Sequence, residues 1–160
     1  MGEAIRDLRG LARRARALRS AYMRGGLDPA LRERVMVAVS QFNSCRGCTF
    51  VHKRWAGSAG VTSDDLRAIG SGDLGLLDNR SRAAVTYAAA LAEVRFRGPI
   101  AVELTAGASD NLMAGDLMAV EAIARAIAFA NLSANTAEEL IARIWSPAIR
   151  KGRRHAGAAR

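Results

Sequence analysis

Between residues 41 and 55 the chain reads QFNSCRGCTFVHKRW, a segment that carries more chemistry than structure. Cys45, Cys48, His52 and Trp55 follow at intervals of three, four and three, so on a helix the four share one face. A cysteine at a helix N-terminus meets unpaired N–H groups and the positive end of the helix dipole, both of which favour thiolate. His52, one turn beyond Cys48, can exchange a proton with it. That arrangement suits a reversible dithiol, and in a reducing compartment two cysteines this close are more often a redox pair or metal site than a structural crosslink. A CxxC by itself is also compatible with two small buried core residues.

Zinc held by Cys45, Cys48 and His52 would want a fourth ligand, and the chain has no other cysteine. Glu33 is the candidate: it stands in the helical segment just before the pair and serves equally as a group that orients His52. Flanked by Arg32 and Arg34, it also reads as an ordinary surface glutamate. On spacing alone redox pair, metal site and inert pair all stay open. Trp55 is expected in the core or as a wall of a substrate pocket. Phe42, Phe50 and Tyr87 are candidates to line an apolar pocket for an alkyl group, with core packing as their default. Lys53 and Arg54 lie off the cysteine stripe and read as solvated, as does His155 near the C-terminus. Asn131 and Asn135, four apart, suit a subunit contact or a helix junction.

These residues need helices to position them. Ala occurs 33 times, Pro three times, and β-branched runs are scarce. Leu8, Leu11, Ala15, Leu18 and Tyr22 form the stripe of a first amphipathic helix ended by Gly25-Gly26. Asp28 before Pro29 starts a second, with Leu31, Val35, Ala38 and Phe42 on its apolar face. A third runs from Cys45 to about Ser58, and Thr62 with Asp65 forms a capping box for a short fourth. Asn79 to Arg95 is a fifth, closed by Gly98-Pro99. The stretch IAVELTAGASD fits a short helix or a loop. A last long helical region begins near Ala114 and continues or restarts through Glu138 and Ile144 before Pro147. No repeat and no strand pattern of useful length occurs, so the expected fold is all-α, one domain over residues 1–149 with a disordered basic tail over 150–160.

The net charge of +9 is a property of the two ends. Residues 1–22 carry +4 and residues 150–160 carry +5, while 23–149 balance 13 basic against 13 acidic side chains. A neutral body with 5% aromatic residues argues against a nucleic-acid surface. The lack of a charge-free apolar run of 18 residues argues against a membrane span, and two cysteines with no leader-like N-terminus point to a cytoplasmic protein.

Glu33, eleven residues, Cys45-x-x-Cys48, three residues and His52 together resemble the signature of the AhpD-like alkylhydroperoxidases, within the carboxymuconolactone decarboxylase superfamily. The segment DNRSRAAVTYAAALA and a late helix with Asn131 and Asn135 extend the similarity over residues 29–145. The resemblance implies an all-helical bundle with the CxxC at the N-terminus of a central helix, assembled as trimers or hexamers. It implies a peroxidase that reduces organic hydroperoxides without a cofactor or metal and is recharged by a dihydrolipoyl or thioredoxin-like protein. By position, Cys48 resembles the attacking cysteine and Cys45 the resolving one, with Glu33 and His52 as proton relay. Helix-terminal geometry alone favours Cys45 as attacker. Known members place a histidine just before the second cysteine, where this chain has Gly47. Thiol-disulfide exchange with a protein, a lactone decarboxylase-like reaction and a non-catalytic helical oligomer with a metal site are the alternatives.

Overall fold

The computed structural model describes the backbone of residues 2–156 and the side chains of residues 5–142 apart from residue 7. Among these residues all regular structure is helical: α1 (Gly2–Arg13), α2 (Ala15–Tyr22), α3 (Pro29–Phe42), α4 (Arg46–Ser58), α5 (Ser63–Ser71), a 3-10 turn (Leu74–Leu76), α6 (Asn79–Glu93), α7 (Val102–Asn111) and α8 (Ala114–Ala156). The all-α expectation is met.

Helix α3 is the axis of the bundle. Asp28 caps it, its Oδ1 accepting the Leu31 N–H at 2.8 Å, and Pro29 supplies a first-turn residue with no N–H to satisfy. Val35, Val37 and Val39 have no exposed surface, because α3 packs against α4, α5, α6 and α8 at once. One apolar cluster joins Leu31, Val35 and Val39 to Ala84, Ala88 and Leu91 of α6 and to Val120, Ile123 and Ile127 of α8. A second joins Val37 and Ala38 to Ala68, Ile69, Leu77 and Val85. Alanine at the α6 and α8 contacts lets the helix axes approach closely.

Two boundaries differ from the sequence reading, the break at Arg14 and the end of the last helix, and two alternatives it left open are decided. The first predicted helix is divided at Arg14, whose φ and ψ of −104° and 6° leave the helical region. The Arg14 guanidinium pairs with Glu121 of α8 at 2.5 Å, a long-range tie that periodicity does not encode. The stretch after Gly98-Pro99 is helical, as α7. The final region is one continuous helix, and its backbone enters the segment 150–160 assigned to a disordered tail. Residues 157–160 and the side chain of His155 lie outside the described residues, so the expectation of solvated basic side chains there does too.

Residues 114–142 of α8 are long and apolar enough, by length and composition, to cross a membrane. In this fold Val120, Ile123, Ala124 and Ile127 of that stretch pack into the core with α3 and α6, whereas Leu132, Leu140 and Ile141 stay exposed.

Candidate active site

The site is built at the elbow between α3 and α4. Helix α3 ends with Ser44 in the left-handed region at φ 54°, the Cys45 N–H donating to Ser40 O at 3.0 Å and the Ser44 N–H to Gln41 O at 2.9 Å. This hydrogen-bonded reversal sends the chain straight into α4, for which Cys45 is the N-cap. The Cys45 Sγ accepts the Cys48 N–H at 3.4 Å. Cys45 and Cys48 are joined as a disulfide, with Cα atoms 5.3 Å apart. Cys45 is fully buried, whereas Cys48 keeps partial contact with solvent.

Because α3 and α4 lie side by side, Glu33 on the first meets His52 on the second. The Nδ1 of His52 is 3.0 Å from Glu33 Oε2, and the two residues are only 8% and 6% exposed. An ionised carboxylate can only accept, so Nδ1 carries the proton of this bond and Nε2 is left to exchange one. Glu33 is therefore no surface glutamate but the partner of the imidazole. Trp55 stands edge-on to His52 with ring centroids 5.5 Å apart, and it is 55% exposed instead of belonging to the core. A cavity of about 420 Å³ opens beside the pair, lined by Tyr22, Arg32, Glu33, Met36, His52 and Trp55.

Two polar tethers hold α8 against the elbow. Asn131, with no exposed surface, accepts the Ser40 hydroxyl at Oδ1 across 3.3 Å, and Asn135 Nδ2 donates to Asn43 O at 2.8 Å. Within the chain these asparagines thus pin a helix junction.

Phe42, Phe50 and Tyr87 do not come together. Tyr87 is buried in the main cluster, where burial and then the nearby Glu121 push its phenol above the usual value. Phe50 is exposed on α4, and Phe42 borders a separate cavity of about 380 Å³ with Ser44, Phe96, Phe129 and Leu132. Arg32, stacked over Tyr22 at 4.4 Å, lines the His52 cavity and was not singled out by the sequence, where only its proximity to Glu33 hinted at it. Among the described residues no three His, Cys, Asp or Glu side chains gather as a metal site: the sulfurs bond each other and His52 bonds Glu33.

Residues 9–93, more than half the chain, match the carboxymuconolactone decarboxylase family, and the match contains Glu33, Cys45, Cys48 and His52. The chain belongs to this family. Comparison with curated proteins finds none that matches. The carboxymuconolactone decarboxylase family includes AhpD-like peroxidases as well as decarboxylases, and the CxxC of this member is the feature that bears on the choice between them. Helices α7 and α8 lie beyond the matched residues.

Proposed function

We propose that the protein is a thiol-dependent peroxidase of the AhpD-like kind, reducing organic hydroperoxides through Cys45 and Cys48. The observation that carries this reading is the placement of a disulfide-bonded pair, one cysteine buried and the other partly exposed, one helical turn from a buried carboxylate–imidazole pair. A lactone decarboxylase would need acid–base groups but no reversible dithiol.

In the reduced enzyme the Cys48 thiolate attacks the outer oxygen of the hydroperoxide. An S–O bond forms, the O–O bond breaks, and the departing alkoxide takes a proton supplied through His52, whose charge Glu33 stabilises. The Cys45 thiol then attacks the Cys48 sulfenic acid, releasing water and closing the disulfide. A dithiol donor, a dihydrolipoyl or thioredoxin-like protein, returns two electrons and two protons. The accessibility of Cys48 supports its role as attacker over Cys45, which has no exposed surface for a substrate to reach. We assign the protein to the cytoplasm, where such donors keep the pair reduced.

A second reading, disulfide exchange with a protein partner, is favoured by Gly47, which leaves the elbow one imidazole short of the AhpD-like pattern. The test is stoichiometry. Reduced protein should consume one equivalent of cumene hydroperoxide and form the Cys45–Cys48 disulfide. Cys48→Ser should abolish consumption, and Cys45→Ser should react once and leave a trappable sulfenic acid on Cys48. His52→Ala should slow the reaction roughly tenfold or more, the low end of general acid–base catalysis because water can substitute. A wild type no faster than a free thiol of matched pKa would transfer the function to disulfide exchange.

A further inference from the structure

Helix α8 brings one stripe of polar side chains to the elbow. Asn131 meets Ser40 near the end of α3, Asn135 meets the Asn43 carbonyl at the junction, and these positions continue at i+7 to Glu138. Glu138 in turn reaches the CxxC turn itself: a Cβ built on Gly47 would lie 3.7 Å from Glu138 Oε1. That is ordinary van der Waals contact, so space at Cβ does not force glycine there. The position that would carry a neutral or cationic imidazole in the AhpD-like pattern instead lies against a carboxylate.

We propose that Glu138 is a charge-setting residue for the redox pair, a positioning group that acts on the sulfurs through the first turn of α4. The inference rests on the reading of Cys45 and Cys48 as a redox couple. It goes beyond that reading, because Glu138 lies outside the residues that match the family. The N-terminus of α4 offers unpaired N–H groups and a positive dipole end that stabilise negative charge. In the reduced protein two negative groups compete for that environment, the thiolate and the Glu138 carboxylate. The carboxylate offsets part of the helix potential and repels the developing thiolate, so it raises the apparent thiol pKa and makes the dithiol harder to ionise. The charged and titratable side chains that α4, α3 and α8 bring to this end are Arg46, the Glu33–His52 pair, Glu138 and Glu139, with Lys53 and Arg54 farther along α4. Arg46 opposes Glu138 in sign; Glu139, one residue on, projects from a different side of α8.

Titration of the reduced protein tests this, following thiolate ultraviolet absorbance and, independently, the rate of iodoacetamide alkylation against pH. Glu138→Gln keeps the size and exposure of the side chain and removes only the charge. It should lower the first apparent thiol pKa by about half a unit, a roughly threefold gain in thiolate below that pKa, from one charge in a partly screened setting. Glu139→Gln, the same charge change on the same helix, should leave it in place. In about 1 M NaCl the Glu138→Gln shift should shrink, since the side chain is exposed. Equal shifts in the two variants, or none in Glu138→Gln with an unchanged melting curve, would overturn the assignment. Neither readout needs a peroxide, so an enzyme that fails to consume hydroperoxide still answers the question, and a normal peroxidase with an unmoved titration rejects Glu138 alone.

Discussion

Ser44 occupies a backbone position that glycine fills at most helix ends, with φ at 54° where a Cβ crowds the carbonyl. It is followed at once by Cys45, so the conformation that strains Ser44 is also the one that aims the CxxC into α4 as a cap. Arg95 and Phe96, the other described non-glycine residues at positive φ, end α6 and border the same 380 Å³ cavity as Ser44. Ser44→Gly should relieve the strain and stabilise the protein by about 0.5 to 1 kcal/mol, the αL relief exceeding the entropy that glycine adds to the unfolded chain. Urea denaturation checks it; a loss of stability would mean that the Ser44 side chain contributes to the elbow. The spacing of Glu33, Cys45, Cys48 and His52 was legible in the sequence, but the burial of Glu33 was not. Its neighbours Arg32 and Arg34 make a charged stretch that looks solvated, and only the side-by-side packing of α3 and α4 brings it to an imidazole nineteen residues away.

Helix starts carry the clearest local signals in this chain. The Asp28 cap before Pro29 and the Thr62/Asp65 capping box are formed as their sequences predict. Asp65 does more than cap: its Oδ2 accepts the Thr62 N–H at 3.0 Å and pairs with Arg34 Nη2 at 2.8 Å, tying α5 to α3. Burial alone would raise the Asp65 carboxyl, but hydrogen bonds from Arg34 and Thr62 outweigh it and hold the group below its usual value of 3.8. Asp78, capping α6 through the Ser81 N–H, is lowered in the same way. A carboxyl depressed in the folded state contributes stability that is full above the unfolded value and lost as pH falls through the folded one. Stability should therefore drop below about pH 4, and less steeply in Asp65→Ala, which also loses roughly 1 to 2 kcal/mol at neutral pH. Parallel acid melts of the two proteins would expose an error. What local signals missed was the break at Arg14, whose side chain pairs with Glu121 far along the chain, and they left open whether the last helix continues or restarts.

At the scale of the whole molecule, apolar side chains stay on the surface in places: Phe42 and Phe50 near the elbow, and Leu132, Leu140 and Ile141 along α8, are all more than 40% exposed. Single exposed apolar residues are ordinary, but several on one helix, with Leu132 at a cavity mouth and Leu140 and Ile141 adjacent farther on, are surface that water covers poorly. We expect the protein to assemble with copies of itself through the exposed apolar side chains of α8. Light scattering should give a mass of at least two chains across the micromolar range. Replacing Leu140 and Ile141 together by glutamate should shift that mass toward one chain while leaving the helical circular dichroism of the bundle intact, because neither residue belongs to the buried clusters. A wild type that runs as a monomer at every concentration would refute the assembly.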